Sequence, residues 1–390
     1  MKCAECKGNL LCGRSKCPLV EKYRFLRSIR IDNKILDPSP PSIFVGRIGY
    51  PKVYVGPLVA INTDPVYADS PWLWKSIEEV IELRTSMLRT STRMRVEDVR
   101  EENRRIVELQ ELTASVKPVD IEAEIRKIVK RAEFDDVVQP MGYSAIVEKL
   151  TITENPKIPE KVEKVYYDDL KSHEALKLLY NHGFSTYYLQ KIFSAGMLGE
   201  RQSRKLVPTR WSITAVHSIL GEKIKREIAE FEVIDSTMVF SFEHFGNHFE
   251  IILSPERYFF QLIEIWQRKS FWSPREDWIG ADGEDIRPKK TYSNLSGGYY
   301  AARLPVLEHL RRIRRQASIL VIREIKPTYY APLGVWVVEE GVRKALNTKP
   351  EIFSSFKEAF ESATLRIETD RRRWQHYVFR QTTLESFFNS

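Results

Sequence analysis

The spacing of apolar residues predicts mostly helices in the first half of the chain. After a loop with short strands in residues 23–61, which prolines interrupt repeatedly, apolar residues recur at helical spacing. The predicted helices cover residues 69–89, 96–112 and 120–134. The first of them is expected to begin at Ser70, because Pro71 would then occupy the first helical position.

The second half of the chain has a different pattern. Residues 168–199 are predicted to form two helices that Gly183 separates. Beyond residue 220 the runs become alternating and β-rich, with a hairpin expected at residues 244–248. Further strands are predicted in residues 317–325 and 334–340, and helices in residues 297–316 and 353–365. The polar, Gly- and Asp-rich residues 273–298 are predicted to form a loop or a domain junction. The predicted fold class is α+β.

Composition favours a folded protein of two domains that does not enter a membrane. The 390-residue chain is 43% hydrophobic and 29% charged, which separates it from disordered chains, and it is longer than a usual single domain. No run approaches about 20 apolar residues, and the N-terminal MKCAECKGNL lacks the apolar core of a signal peptide. We therefore expect a cytoplasmic protein with no membrane partner.

Positive charge is concentrated in a few segments. The formal net charge is +8, and basic clusters occur in residues 1–34, 201–210, 311–315 and 371–373. Such local positive fields attract polyanions, so nucleic acid is the predicted partner. The solvated surface of a charge-rich protein would have the same composition.

The segment ERQSRKLVPTRW combines several basic residues with an aromatic one. Arg and Lys hold phosphates while Trp stacks on a base, so five residues are candidate nucleic-acid or nucleotide contacts. They are Arg201, Arg204, Lys205, Arg210 and Trp211. A structural loop with one anchored Trp is the open alternative.

All four cysteines lie near the N-terminus, at Cys3, Cys6, Cys12 and Cys17. The spacing C-x2-C-x5-C-x4-C suits a closed, structural Zn²⁺ site with four thiolate ligands, and Gly8 and Gly13 are expected to supply the turns around the metal. Metal binding would also fold a segment too short to bury a core. Two disulfides or a redox relay would use the same residues, but a reducing compartment disfavours disulfides.

The chain ends in QTTLESFFNS, which places large apolar side chains at a terminus. Leu384, Phe387 and Phe388 stand at positions i, i+3 and i+4, so one helical turn presents all three on one side, and Gln381 lies one turn earlier. This Q-x-x-Ψ-x-x-θ-θ pattern resembles the PIP box with which replication and repair proteins dock on the sliding clamp PCNA. The tail is therefore predicted to bind PCNA; the alternative is a tail that packs on its own core.

Four parts of the sequence together resemble the archaeal Nre family of DNA repair proteins: the cysteine cluster, SRKLVPTRWSIT, GGYYAARLPVLE and QTTLESFF. The resemblance extends over the whole chain and implies a role in the DNA damage response through PCNA. It assigns zinc to the four cysteines and clamp contact to the four tail residues. The implied domains are a zinc knuckle in residues 1–20, an N-terminal Nre domain in residues 21–280, a C-terminal Nre domain in residues 281–380 and the PCNA-interacting tail in residues 381–390.

Two classes of function fit these features. In the first, the protein binds PCNA and DNA as a scaffold and is associated with the nucleoid when bound to DNA. In the second, the same body is an enzyme, such as a nuclease, a glycosylase or a nucleotide-using transferase, that the tail delivers to DNA. The sequence contains no HExxH, Walker A or GxSxG motif, so it assigns no catalytic residue and leaves the class open.

Overall fold

The computed structural model describes most of the chain: residues 6, 8–11, 13, 16–61, 63–67, 71, 75–101, 103–130 and 137–378. Within these residues, ten α-helices and two six-stranded sheets form two units, which confirms the predicted α+β class. The first unit contains residues 17–220 and 331–334, and the second contains residues 1–16, 221–330 and 335–390. The predicted domain boundaries stay predictions, because a unit defined by its internal packing need not coincide with a family domain.

The helices and strands are numbered in chain order. The described helices are α1 (Pro18–Ser28), α2 (Ile77–Thr85), α3 (Arg104–Ala114), α4 (Glu160–Tyr167), α5 (Ser172–Asn181), α6 (Thr186–Ser194), α7 (Thr209–Ile228), α8 (Ser296–Ile313), α9 (Trp336–Ala345) and α10 (Phe356–Thr364). The described strands are β1 (Lys34–Ser39), β2 (Ile43–Val45), β3 (Lys52–Ala60), β4 (Met87–Arg95), β5 (Val119–Val129), β6 (Ser144–Ile152), β7 (Thr237–His244), β8 (Asn247–Ser254), β9 (Phe259–Trp266), β10 (Trp278–Glu284), β11 (Ser318–Ile325) and β12 (Glu351–Phe353). Among the described residues, no helix is both long and apolar enough to cross a membrane.

The sheet of the first unit has the strand order β1-β5-β6-β4-β3-β2. Neighbouring strands are antiparallel, except that β4 and β6 run parallel. One face of the sheet packs into a core that includes Val59, Leu88 and Ile121 together with Leu26 of α1 and Leu112 of α3. The β2–β3 hairpin therefore lies at one edge of the sheet, with its short loop at the end of both strands.

Strand β5 replaces a predicted helix. The sequence predicts a helix in residues 120–134, but Val119–Val129 form a strand that pairs with both β1 and β6. From Val119 to Ile125 buried residues alternate with partly or fully exposed charged residues, which is the period of a strand. Ile121 and Ala123 thereby enter the core, and this burial outweighs the helix preference of the intervening Glu, Lys and Arg residues.

Helix α2 begins later than predicted. Pro71 is not helical, and Ser70 lies outside the described residues. The helix starts at Ile77 because Ser76 caps it: the Glu79 N–H donates to Ser76 Oγ at 3.2 Å, and the Ser76 N–H donates to the Glu79 carboxylate at 2.6 Å. The residues predicted as its last turn belong to β4 instead.

Two other predictions for the first unit have opposite outcomes. Gly183, at a φ of 89°, separates α5 from α6 as predicted. The start of the predicted loop is instead part of helix α1. Pro18 is the first residue of this helix, and the side chains of Lys22 and Leu26 are buried on one side of it. An early helix was missed because its apolar side consists of few residues.

The sheet of the second unit has the strand order β10-β9-β11-β8-β7-β12, and β9 and β11 are its parallel pair. The predicted hairpin is confirmed: β7 and β8 pair directly, and Phe245 and Gly246 form the turn at positive φ values of 52° and 67°. Helix α8 forms as predicted with Pro305 inside it. Helix α10 is also confirmed, and it packs on a core that includes the fully buried Trp374.

Two predictions for the second unit are wrong. Residues 273–298 are predicted as a loop or a domain junction, and the loop alternative is wrong, because strand β10 lies within them and pairs with β9 along its whole length. Residues 334–340 are predicted as a strand, but Trp336–Ala345 form helix α9. The short apolar run Trp336–Val338 fits a buried strand as well as a buried helix, so length decides between them, and here the element continues as a helix to Ala345.

A buried network of charges joins three elements of the second unit. Glu284 of β10 accepts hydrogen bonds from Arg303 of α8 at 2.7 and 2.8 Å and from Lys225 of α7 at 3.2 Å. The Tyr258 hydroxyl donates to the same carboxylate at 3.2 Å, and Glu222 adds a second carboxylate 2.8 Å from Arg303. Burial opposes the charge of Arg303, but the two carboxylates outweigh it and raise the pKa of the guanidinium above its usual value.

Candidate nucleic-acid interface

The predicted contact Arg204 is buried inside the first unit. Its Nε donates to the Gly199 carbonyl at 2.8 Å, another guanidinium nitrogen donates to the Tyr166 carbonyl, and the guanidinium lies 4.5 Å from the centre of the Tyr166 ring. Burial lowers the pKa of Arg204, although Tyr166 partly compensates. This position favours a structural role for Arg204 in holding the loop.

The other predicted contacts of this segment lie nearer the surface. Arg201 is exposed in a single turn of 3₁₀ helix, and Arg210 is half-buried in the first turn of α7. Lys205 is exposed and forms an ion pair with Glu97 at 3.6 Å. An exposed ion pair of this kind contributes little stability, so the Lys205 ammonium can exchange its partner for a phosphate.

Trp211 stands at the surface in contact with a second aromatic side chain. Its ring is 45% exposed and lies 5.3 Å from the ring of Tyr50, also 45% exposed, at an interplanar angle of 54°. The start of α7 is held against β2, because the Val45 N–H donates to Thr209 Oγ1 at 2.9 Å. This bond places the first turn of α7, and with it Trp211, beside the β2–β3 loop.

Strands β3 and β4 extend this aromatic pair with basic residues. In the register of the two strands, Lys52 stands opposite Arg95 and Tyr54 stands opposite Arg93, and all four are exposed. Residues directly opposite each other in an antiparallel pair project from the same face, so the four form one block. Within the described part of the chain, none of the three cations has an ion-pair partner.

The loop between β2 and β3 completes the surface. It carries Arg47 and Ile48, both exposed, and Arg93 Nη2 lies 3.9 Å from the position that a Gly49 Cβ would occupy. We call the whole set the aromatic–basic surface: Arg47, Ile48, Tyr50, Lys52, Tyr54, Arg93, Arg95 and Trp211. It combines cations that can hold phosphates with aromatic rings that can stack on bases.

Of this surface, the sequence predicted only Trp211. The alternation of Lys52, Val53, Tyr54 and Val55 indicates that Lys52 and Tyr54 share an exposed face. The alternation therefore identifies the exposed face of β3 from the sequence. It does not identify Arg93 and Arg95 as neighbours, because only the pairing of β3 with β4 brings them there from a distant part of the chain.

The N-terminal cysteine segment is described only in part. Cys6 is buried and Cys17 is half-buried directly before α1, whereas Cys3 and Cys12 lie outside the described residues. Gly8 and Gly13 adopt positive φ values of 88° and 72°, which confirms the predicted turns. The described residues contain these turns and two of the four cysteines, so the zinc site stays a prediction.

Possible catalytic metal ligands do not assemble in the residues that the structure describes. No group of three or more His, Cys, Asp or Glu side chains there is placed to hold a metal ion. Asp282 and Asp285, two neighbouring acids of the second unit, are each engaged in an ion pair, Asp282 with Lys289 at 2.7 Å and Asp285 with Arg287.

The predicted PCNA-binding residues Gln381, Leu384, Phe387 and Phe388 lie outside the described residues. The chain that precedes them is well anchored. Trp374 is fully buried, its indole N–H donates to the Thr369 carbonyl at 3.1 Å, and Tyr377 and Val378 pack against the same core. The second unit therefore includes the chain up to residue 378.

Comparisons with known proteins cover both halves of the sequence. Family models described as archaeal Nre, N-terminal, and archaeal Nre, C-terminal, match residues 11–273 and 284–387. The chain is 76% identical to the DNA repair protein NreA of Archaeoglobus fulgidus, over 100% of this chain and 99% of that protein. It is 40% identical to the DNA repair protein NreB of the same organism, over 96% of this chain and 95% of that protein.

A less similar relative is also named NreA. The DNA repair protein NreA of Haloferax volcanii is 36% identical, over 83% of this chain and 81% of that protein. No solved structure matches the chain. Two family models that together span most of the sequence, and relatives aligned over nearly its full length, confirm the resemblance seen in the motifs: the chain belongs to the archaeal Nre family.

Proposed function

We propose that this chain is a DNA repair protein that binds DNA through the aromatic–basic surface. The observation that carries the proposal is a row of exposed cations, Lys52, Arg93 and Arg95, that form no ion pair with any described residue. They lie beside the exposed rings of Tyr50, Tyr54 and Trp211. Its relatives NreA and NreB are named DNA repair proteins, which supports a role in DNA repair.

The chemistry of the surface suits a nucleic acid better than another anion. An acidic protein would pair with the cations but would leave the three rings exposed to water. A nucleic acid satisfies both, because its phosphates neutralise the cations while its bases stack on the rings. Stacking contributes about 1–3 kcal/mol per base, so two or three stacked bases add substantially to phosphate contact.

Neutralising the basic residues is the direct test. The triple variant Lys52→Ser/Arg93→Ser/Arg95→Ser is expected to bind single-stranded DNA at least about 100-fold more weakly at low salt. Each lost phosphate contact also removes about 0.7 from the slope of log K against log salt concentration, so the slope should fall by about 2. Fluorescence anisotropy with a labelled oligonucleotide over a series of salt concentrations measures both quantities.

A matched control separates local contact from net charge. The variant Arg126→Ser/Lys127→Ser/Lys149→Ser removes the same charge from exposed positions on β5 and β6 of the same sheet. It should bind DNA within about twofold of the unmodified chain. Equal losses in the two triple variants would show a non-specific effect of charge and would contradict the proposed interface.

We further propose that the C-terminal tail recruits the protein to PCNA through Gln381, Leu384, Phe387 and Phe388. The sequence pattern supports this role, and the buried Trp374 anchors the chain shortly before the tail begins. DNA contact and clamp contact would then reside in different units, the first in residues 47–211 and the second at the end of the chain.

We also propose that Cys3, Cys6, Cys12 and Cys17 bind one structural zinc ion. Protein purified under reducing conditions without added metal is expected to contain about one zinc per chain by elemental analysis. The double variant Cys3→Ser/Cys12→Ser should lose most of it, because two thiolates do not hold zinc tightly at neutral pH. Ser15→Ala in the same segment is the control and should keep the metal. A chain that contains no zinc, or a double variant that retains it, would contradict the proposal.

A further inference from the structure

We infer that the aromatic–basic surface recognises the junction between double-stranded and single-stranded DNA, with Ile48 as a wedge against the last base pair. The inference rests on the proposed DNA contact and specifies the form of DNA. It begins from one exposed apolar side chain in a basic loop. Ile48 is 80% exposed at the tip of the β2–β3 loop, although a water-exposed isoleucine on its own gains nothing for the fold.

The loop holds Ile48 in a defined position. The Gly46 N–H donates to the Tyr54 carbonyl at 2.8 Å, and the Lys52 N–H donates to the Gly49 carbonyl at 2.9 Å. Gly49 has a φ of 85°, and a Cβ at that position would come within 2.9 Å of the Lys52 carbonyl oxygen, so the turn requires glycine. A rigid tip is what a wedge needs, since a mobile loop would yield rather than separate bases.

The two rings behind the tip do not fit a continuous base stack. Neighbouring bases in a duplex are parallel, whereas the rings of Tyr50 and Trp211 are inclined by 54°. Both rings can therefore stack on bases only where the bases have left the helical path. Aromatic side chains that bind single strands accept any base in this way, because every base has a stacking face.

The charges around the tip favour a nucleic acid over a second protein as the occupant. Arg47 flanks Ile48 in the loop, and Arg93 reaches the loop from β4, with its Nη2 3.9 Å from the position of a Gly49 Cβ. Lys52 and Arg95 continue the row of cations along the strands. An apolar tip bordered by cations suits insertion at a base step while the neighbouring phosphates are held.

A junction is the place where such an insertion costs least. Proteins that insert Ile, Leu or Phe into an intact duplex must unstack a base step, which costs a few kcal/mol. The terminal pair at a junction has already lost one stacking neighbour, so Ile48 can separate its bases from the rest of the stack at a lower cost. Tyr50 and Trp211 would then receive the first unpaired bases of one strand.

Three DNA probes of equal length test the inference: a single strand, a duplex and a fork with 2-aminopurine in the first pair of its duplex arm. The unmodified chain is expected to bind the fork about tenfold more tightly than the duplex and to raise the 2-aminopurine fluorescence as that base unstacks. Ile48→Ser should abolish the rise and weaken fork binding about tenfold, while binding to the single strand changes less than about twofold.

The control is Leu36→Ser, which removes a side chain that is 72% exposed on β1 and lies outside the aromatic–basic surface. It should bind all three probes like the unmodified chain and keep the fluorescence rise. Equal affinity for duplex and fork, or a rise that persists in Ile48→Ser, would overturn the inference and leave the DNA contact intact. No binding to any of the three probes would overturn the proposed function and the inference together.

Discussion

Glu284→Gln is expected to lower the free energy of unfolding of the second unit by about 3–5 kcal/mol. The carboxylate of Glu284 receives hydrogen bonds from Arg303, Lys225 and Tyr258, and both cations are completely buried. An amide at this position would leave Glu222 as the one carboxylate of this network to balance two buried positive charges. Removing one partner of a buried ion pair is costly because the other charge stays out of water without compensation.

The geometry of the network leaves little room for relaxation. Gly221 approaches the Arg303 guanidinium so closely that a Cβ there would lie 2.7 Å from Nη2. The Lys225 ammonium also donates to the Arg287 carbonyl at 3.0 Å, which holds its end of the network. The two cations therefore cannot simply turn toward water when the carboxylate is lost.

Urea unfolding measures the loss of stability in Glu284→Gln, and a substitution at the neighbouring residue is the control. Asp285 forms an ion pair with Arg287 at the surface, so Asp285→Asn should change the free energy of unfolding by less than about 1 kcal/mol. If Glu284→Gln fails to fold, the double variant Glu284→Gln/Lys225→Met should recover part of the stability, because it removes one of the uncompensated charges. Similar stabilities for Glu284→Gln and Asp285→Asn would contradict the buried-network account.

Ending the chain at Arg380 is expected to abolish binding to PCNA from the same organism. Burial of three large side chains in PCNA would contribute about 5–9 kcal/mol to binding before costs are subtracted; they are Leu384, Phe387 and Phe388. The entropy lost when the tail becomes ordered cancels part of this gain. Micromolar affinity is the expected result for the full chain. Phe387→Ala/Phe388→Ala should weaken binding at least about 100-fold, because it removes two of the three apolar anchors.

Titration calorimetry of the chain against PCNA distinguishes the possible outcomes. Thr382→Ala/Thr383→Ala is the control, since both positions fall between the residues that define the motif, and it should bind like the full chain. Truncation at Arg380 retains the buried Trp374 and the packing of Tyr377 and Val378, so it should unfold at the same urea concentration. Unchanged PCNA binding after truncation would refute the tail as the recruiting segment, and a large loss of stability would indicate that the tail packs on its own core.

Sequence alone determined the features that depend on neighbouring residues. Gly183 ends a helix because its positive φ suits a helix C-terminus, and the β7–β8 hairpin follows from two alternating runs joined by a short turn. The cysteine spacing and the terminal QTTLESFF are likewise local patterns. With two internal segments, they were sufficient to indicate the archaeal Nre family, to which the chain belongs.

Tertiary structure alone decided which distant residues meet and which residues are buried. Val119–Val129 became a strand because β1 and β6 offered it partners, although many of its residues favour a helix. Trp211 meets Tyr50 because a hydrogen bond ties the start of α7 to β2, and Arg93 meets Tyr54 through strand register. Local preferences differ by less than about 1 kcal/mol per residue, whereas burial of one large apolar side chain contributes about 1.5–3 kcal/mol, so long-range packing decides wherever the two disagree.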